Sequence, residues 1–131
     1  MKTTPRYRIT RRHLRGACKG QLAVFRKTWP KGAIVSLATL RRAGKLGLDL
    51  SWFADKFLSA SAFRAFDAAR TPAVQAYRVA EGSAWRAYTE TAALEAYSAA
   101  TASARQVYEA AEALALWKVI KGHGLLRVKP C

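Results

Sequence analysis

The sequence predicts a mainly all-α protein: a compact helical bundle of short N-terminal helices and alanine-rich antiparallel helices, with room for short terminal strands. Two observations favour this fold class. Apolar residues of the first 60 positions recur at three- and four-residue steps, the spacing of one helix face. Alanine, the strongest helix former, supplies 22 of the 62 residues from Ala54 to Ala115.

The chain is long enough for one domain with a buried core. It has 131 residues, 51% of them hydrophobic, and its apolar runs are far shorter than the roughly 20 residues that cross a bilayer. We expect three parts within a single folding unit. These are a basic helical head over residues 1–60, an alanine/aromatic helical array over 61–121 packed on the head, and a tail over 122–131.

The head begins with an extended arm and a first helix. Residues 1–10 alternate basic and apolar side chains near their end, which allows a short strand. Thr10 is a good N-cap, so the spacing predicts a helix over residues 11–28. Cys18 falls on the apolar stripe of that helix, and we expect its thiol to be buried. The turn residues 29–32 end the helix.

Two further short helices complete the predicted head. Residues 33–35 form an extended connector. Ser36 is the expected N-cap of a second helix over residues 37–45, which Gly47 ends in the left-handed conformation. Asp49 is the expected N-cap of a third helix, whose apolar face points into the head.

Six copies of a five-residue word run through the array, each reading small, large, any, apolar, aromatic. The six words end on Phe66, Tyr77, Tyr88, Tyr97, Tyr108 and Trp117, at steps of 11, 11, 9, 11 and 9 residues. Eleven residues are close to three helical turns and keep the aromatic ring on one face, whereas nine residues move it to the opposite face.

The array is too long to be one helix. A straight helix over residues 62–120 would measure about 90 Å. We therefore expect breaks at Thr71-Pro72, at Glu81-Gly82-Ser83, and at Thr101 or Ser103, so that the array folds back on itself as antiparallel helices.

The aromatic residues of the words have two interpretations. A stacking ladder for single-stranded nucleic acid would combine them with basic groups. Acidic residues as well as arginines surround the words, which is typical of a solvated helix surface with mixed charge. Core packing between the helices is therefore the favoured interpretation.

The end of the chain contains two glycines and the second cysteine. Residues 121–124 predict a flexible link, and the apolar residues after them predict a short strand or a docked tail. We expect Cys131 to be an exposed thiol. Two cysteines without CxxC or Cys/His spacing form neither a disulfide framework nor a zinc site, and they fit a reducing, cytoplasmic compartment inside a host cell.

The net charge of +15 is concentrated in the head. Residues 1–48 contain 13 Lys or Arg residues and no Asp or Glu, whereas residues 49–131 contain 10 basic and 8 acidic residues. Like charges without acidic neighbours repel one another, a cost that is usually tolerated when the partner is a polyanion or an acidic surface. The alternative is a solvated basic surface that only aids solubility.

No catalytic constellation emerges from the sequence. His13 and His123 lack a second ligand or a carboxylate at helical spacing, and neither a phosphate-binding glycine loop nor a nucleophile elbow is present. We therefore expect a non-enzymatic protein without a cofactor or metal. In this interpretation His13 lies on the surface and His123 lies in a loop.

A pattern of head residues precedes the words. It consists of Cys18, Gln21, Phe25, Trp29-Pro30, Gly32, Ala43, Gly47-Leu48-Asp49, Trp52 and Leu58. Together with the alanine-x-x-tyrosine words, this pattern resembles the small proteins, mostly of unassigned function, that bacterial phages and prophages encode. The resemblance spans roughly residues 17–117. It implies a phage-related origin and a helical fold, and it transfers no catalytic or binding residue.

These observations favour a small non-enzymatic phage-type binding protein whose basic head docks on nucleic acid or a nucleoprotein, with no membrane partner. The residues expected to contact phosphates are Arg8, Arg11, Arg12, Arg15, Lys19, Arg26, Lys27, Arg41 and Arg42. Two alternatives stay open. One is a phage inhibitor of a host defence complex, anti-CRISPR-like, that acts by protein–protein contact. The other is a self-assembling helical structural protein.

Overall fold

Two long antiparallel helices dominate the computed structural model, which describes residues 6–130. The elements in chain order are β1 (Arg8–Ile9), α1 (Lys19–Thr28), β2 (Ala33–Ile34), α2 (Leu37–Lys45), α3 (Leu50–Phe57), α4 (Ala60–Thr91) and α5 (Leu94–His123). The prediction of a mainly all-α fold is confirmed. The expectations for Cys131 and for the first five residues of the arm lie outside the described residues.

The two short strands close the head around the N-terminal arm. β1 and β2 pair antiparallel, with Arg8 opposite Ile34 and Ile9 opposite Ala33. The side chain of Ile9 is buried and that of Arg8 is exposed, because successive residues of a strand face opposite sides. The arm thus contains a strand, and the extended connector is its partner.

Local capping explains where the short helices begin. Ser36 and Thr39 form a reciprocal capping box at the start of α2, with the Thr39 backbone N–H donating to Ser36 Oγ at 3.1 Å. Asp49 Oδ1 accepts from the Trp52 backbone N–H at 3.0 Å and caps α3. Gly47 has a φ of +82°, in the left-handed region. The predicted caps at Ser36 and Asp49 and the left-handed Gly47 are confirmed.

The predicted start of the first helix is wrong. α1 begins at Lys19, and Thr10 is the first residue of a tight turn instead of a helix N-cap. Gly16 has a φ of +95°, which a continuous α-helix does not allow. Cys18 therefore becomes the N-cap of α1 and is exposed, so the prediction of a buried thiol is also wrong.

The predicted breaks in the array are wrong as well. α4 runs without interruption through Thr71-Pro72 and 81–83, and α5 runs through 101–103. The chain reverses once, at Ala92 and Ala93, where Ala92 takes a φ of +55°. The high helix propensity of alanine and the contacts with the opposite helix offset the free-energy cost of the unfavourable residues inside each helix. We call α4 and α5 together the hairpin.

The hairpin carries three words on each helix, and four of the six pair across it. The rings of Tyr88 and Tyr97 have centroids 5.5 Å apart, and those of Tyr77 and Tyr108 are 5.7 Å apart. Phe66, at the base of α4, is fully buried. Helix packing is therefore the role of these aromatic residues, as predicted.

The core lies at the base of the hairpin, where the head packs against it. Phe57, Phe66, Leu116 and Ile120 are the largest fully buried side chains among residues 6–130. α2 packs along α5, whereas the distal part of the hairpin extends away from the head.

The predicted flexible link over residues 121–124 is wrong, because α5 continues to His123 and Gly124 ends it with a φ of +75°. The tail beyond Gly124 is docked on the head. The Leu126 backbone N–H donates to the Phe57 carbonyl at 2.7 Å, and Val128 is buried. A docked tail was one of the two predicted outcomes, and it brings the last basic residues of the chain against the head.

Candidate nucleic-acid interface

All nine predicted phosphate-contacting residues are exposed. They come from β1, from the turn between β1 and α1, from α1 and from α2. The nine are Arg8, Arg11, Arg12, Arg15, Lys19, Arg26, Lys27, Arg41 and Arg42. A binding surface also requires that the exposed side chains lie close to one another.

Three adjoining surface concavities gather most of them. Arg12 lines all three concavities, Arg11 and Arg26 line two of them together, and Arg15 lines two. Because the concavities share these residues, they form one continuous surface, which we call the basic face. The basic residues of this face are Arg8, Arg11, Arg12, Arg15, Lys19, Arg26, Lys27, Lys31, Lys56, Arg127 and Lys129. No Asp or Glu lines any of the three concavities.

The turn before α1 projects three arginines toward solvent. The His13 backbone N–H donates to the Thr10 carbonyl at 3.0 Å, and the Thr10 backbone N–H donates to His13 Nδ1 at 3.0 Å. A backbone N–H can only donate, so Nδ1 accepts and the ring proton of neutral His13 is on Nε2. Leu14 is buried and anchors the turn. Its neighbours Arg11, Arg12 and Arg15 are exposed as a consequence.

A close backbone approach holds the loop after α1 against β1. Gly32 has a φ of +91°, and a Cβ at this position would lie 2.9 Å from the Ile9 carbonyl oxygen. Only glycine meets both conditions without strain. Arg8 Nη1 donates to the Lys31 carbonyl at 3.1 Å, which joins β1 to the loop after α1. The loop and the arm thus present their cations on the same side.

α3 and the tail add cations that are distant in sequence. Lys56 Nζ donates to the Arg15 carbonyl oxygen and lies 4.9 Å from the centroid of the Trp52 ring, a cation–π distance. Arg127 and Lys129 line the same concavity as Arg8, on either side of buried Val128. The sequence pattern did not predict these three residues as part of the site. For the tail, the alternation of Arg127, Val128 and Lys129 was the available signal.

Arg41 and Arg42 are not brought onto the basic face. Both are exposed on α2, and neither lines any of the three concavities that define the face. Seven of the nine predicted residues therefore share one surface, and these two stand apart from it.

The cations of the basic face have no acidic partners within residues 6–130. In that range the side-chain ion pairs are both made by Arg70, with Asp67 at 3.0 Å and Glu112 at 3.2 Å, at the base of the hairpin. Within the described residues no direct ion pair neutralises these cations, and their charge is available to an external anion. Such a surface matches the electrostatic footprint of a nucleic-acid-binding protein.

Comparison with protein-family models, curated proteins and solved structures gave no match. The resemblance to phage-encoded proteins therefore stays a prediction. Within residues 6–130, no group of three His, Cys, Asp or Glu side chains is arranged to hold a metal ion. No helix in that range is long and apolar enough to cross a bilayer.

Proposed function

We propose that this protein is a non-enzymatic binding protein that docks on nucleic acid, free or within a nucleoprotein, through its basic face. The observation that carries the proposal is that 11 Lys and Arg residues lie around concavities that no acidic residue lines. They come from six segments: β1, the turn before α1, α1, the loop after it, α3 and the tail. Repulsion among these charges costs stability in the free protein, and a polyanion offsets that cost on binding.

The chemistry of the face favours phosphate contacts over base readout. Arginine presents a planar fork of donors that fits a phosphate bidentately, and most of the central residues are arginines. The stacked tyrosines belong to the hairpin and line none of the three concavities of the basic face. Binding is therefore expected to depend strongly on salt and weakly on sequence.

The decisive measurement is the salt dependence of binding to short labelled duplex DNA, single-stranded DNA and hairpin RNA. Each phosphate contact contributes about −0.9 to the slope of log K against log salt for duplex DNA and about −0.7 for single strands. A triple variant with Arg11→Gln, Arg12→Gln and Arg15→Gln removes three cations at the centre of the face. We expect it to lower the magnitude of the slope by about 2 to 3 and to weaken binding at least about tenfold.

A second triple variant controls for net charge. Arg78→Gln, Arg86→Gln and Arg105→Gln remove the same charge from the distal hairpin (residues 73–108), away from the basic face. We expect their effect on affinity to stay within about threefold, because exposed charges beyond a Debye length are largely screened. Equal weakening by the two triple variants, or binding without a salt slope, would refute the proposal.

The two predicted residues outside the face supply an internal test. If binding is confined to the basic face, Arg41→Gln combined with Arg42→Gln leaves the affinity close to that of the unmodified chain. A loss as large as that caused by removing Arg11 and Arg12 would contradict the proposed boundary of the site, because it would place α2 in the interface.

A further inference from the structure

One of the three concavities of the basic face contains aromatic side chains. It lies at the C-terminal end of α1, and we call it the end concavity. Its cations come from the turn before α1, from the last turn of α1 and from the loop after it, and they are Arg11, Arg12, Arg26, Lys27 and Lys31. Phe25 and Trp29 line the same concavity. Phe25 is buried and Trp29 is half-buried, so Trp29 is the ring with surface to offer a ligand.

Both the backbone and the ring of Trp29 are held in place. Its N–H donates to the Phe25 carbonyl at 2.8 Å, and its carbonyl accepts from the Gly32 N–H at 3.0 Å. The centroids of the Phe25 and Trp29 rings are 5.4 Å apart. Trp29 also lines the apolar cavity between α1, α2 and α3, so its side chain has one surface toward the core and another toward the basic face. A ring fixed in this way loses little freedom when a ligand binds.

The Trp29 ring has no cation stacked on it. Trp52, the other tryptophan of the head, has Lys56 Nζ at 4.9 Å from its centroid. Within residues 6–130, the remaining rings with a Lys or Arg group over them are Phe57, Phe66 and Trp117. Five cations line the same concavity as Trp29, and none of them occupies its face. The ring is therefore available to a ligand that enters the end concavity.

An anion that carries a flat aromatic group matches both features of the end concavity. Arginine and lysine side chains bind phosphate, and an indole ring stacks on the π face of a base. An unpaired nucleotide supplies both groups. In a duplex each base is paired and stacked on its neighbours, so its π face is closed to a protein side chain. Stacking accepts every base, which agrees with a weak dependence on sequence.

We propose that Trp29 stacks on an unpaired base, so that the basic face prefers single-stranded nucleic acid to a duplex. This inference rests on the proposed function, because phosphate contacts bring the strand to the face. The 11 cations of the three adjoining concavities exceed what one nucleotide can neutralise, which favours a strand over a free nucleotide. Within residues 6–130, Trp29 is the one Trp or Tyr residue that lines these concavities, so the gain is that of one stacked base.

Binding to three labelled ligands of equal length tests the proposal. They are oligothymidylate, an abasic oligomer with the same sugar–phosphate backbone, and a DNA duplex. Trp29→Leu keeps an apolar side chain but removes the π system. We expect this variant to bind oligothymidylate about 5- to 150-fold more weakly, the range for one base stacked on an aromatic side chain. Its binding to the abasic oligomer and to the duplex should change less than about threefold, with an unchanged salt slope, because the phosphate contacts remain.

Two further variants serve as controls. Trp29→Tyr keeps a stacking ring and should retain most of the affinity for oligothymidylate. Trp52→Leu removes the other tryptophan of the head, which lines the same apolar cavity as Trp29 but none of the three concavities. We expect it to leave the preference for single strands unchanged. Oligothymidylate should quench tryptophan fluorescence in the unmodified chain and in Trp52→Leu, and this quenching should be absent in Trp29→Leu.

Each other result counts against stacking. Equal weakening of all three ligands by Trp29→Leu, or loss of the single-strand preference in Trp52→Leu, overturns the inference, since the packing of the head would then explain the effect. Equal affinity of the unmodified chain for oligothymidylate and the abasic oligomer, with the salt slope intact, also overturns it and leaves the proposed function standing. Competition by thymidine monophosphate as strong per nucleotide as that by the oligomer overturns the choice of a strand. Absence of salt-dependent binding to every ligand refutes the proposed function and this inference together.

Discussion

At the scale of single residues, a polar cluster anchors the hairpin to the head. Arg70 lies between Glu112 of α5 and Ser51 of α3, and it donates to both while also bonding Asp67 one turn away on α4. Its guanidinium carbon lies 4.8 Å from the centroid of the Phe66 ring. One side chain thus joins three helices at the point where the hairpin leaves the core.

Tyr108 belongs to the same cluster, and the ionisation of its hydroxyl is sensitive to the contacts within the cluster. Its hydroxyl donates to Glu112 Oε2 at 2.9 Å, and burial together with this carboxylate raises the pKa of Tyr108 to about 12. A raised pKa in the folded state means that the native protein binds the proton more tightly than the unfolded chain. The stability that this interaction contributes is full below pH 10, the unfolded value, and is lost as pH rises toward 12.

An absorbance titration of tyrosinate checks this prediction. Subtracting the curve of Tyr108→Phe from that of the unmodified chain isolates one ionisation, and we expect its midpoint near pH 12, not near 10. Circular dichroism at each pH shows whether the hairpin is still folded, since unfolding would itself release the proton. A difference curve centred near pH 10 in the folded protein would show that Tyr108 is neither buried nor in contact with Glu112.

At the scale of elements, the spacing of the words predicts how the hairpin folds. The pair Tyr88 and Tyr97 and the pair Tyr77 and Tyr108 are both centred between Ala92 and Ala93. Eleven-residue steps keep the tyrosine rings on one face of each helix, and the first nine-residue step, from Tyr88 to Tyr97, spans the reversal. The second, from Tyr108 to Trp117, lies within α5. This symmetry is present in the sequence and predicts the single turn. Proline and glycine, which usually interrupt helices, indicated breaks that do not form.

The turn itself has no residue suited to it. Ala92 ends α4 in the left-handed region with a φ of +55°, a conformation that costs a residue with a Cβ about 1 kcal/mol and costs glycine nothing. No turn signal marked this position, because alanine is not among the residues that favour turns. The sequence could show that the array folds back, but its local residue types could not show where.

Substitution of the turn residue tests this account. Ala92→Gly should raise the free energy of unfolding by about 0.5 to 1 kcal/mol in urea denaturation, since glycine removes the left-handed strain. Ala102→Gly, in the exposed middle of α5, serves as the control and should lower it by about 1 kcal/mol. The two substitutions are chemically identical, so effects of the same sign would contradict the backbone assignment at Ala92.

At the scale of the whole molecule, the head and the hairpin divide the charge between them. The acid-free composition of residues 1–48 predicted which part of the chain would bind anions. It could not predict the boundary of the basic face, because Lys56, Arg127 and Lys129 reach it through tertiary packing and the docked tail. It also included Arg41 and Arg42, which α2 presents elsewhere. Charge counts along a chain locate a basic segment, and only the fold decides which cations share a surface.

Concentrated positive charge on one face has a consequence for stability without any partner. Raising the ionic strength from 0.01 to 0.15 M shortens the Debye length from about 30 Å to about 8 Å and screens the repulsion among these cations. We expect the midpoint of thermal unfolding to rise by a few degrees over that range, since about 1 kcal/mol shifts it by roughly 3 to 6 °C in a chain of this size.

The triple variant Arg11→Gln, Arg12→Gln and Arg15→Gln should unfold at a higher temperature than the unmodified chain at low salt and should respond less to added salt, because it lacks the central repulsion. Arg78→Gln, Arg86→Gln and Arg105→Gln remove arginines that have glutamates nearby on the hairpin, so their salt response should stay that of the unmodified chain. If both triple variants lose the salt response equally, net charge alone governs stability. If only the first loses it, the cations that weaken the free head are the same ones that the proposed nucleic-acid contact would neutralise.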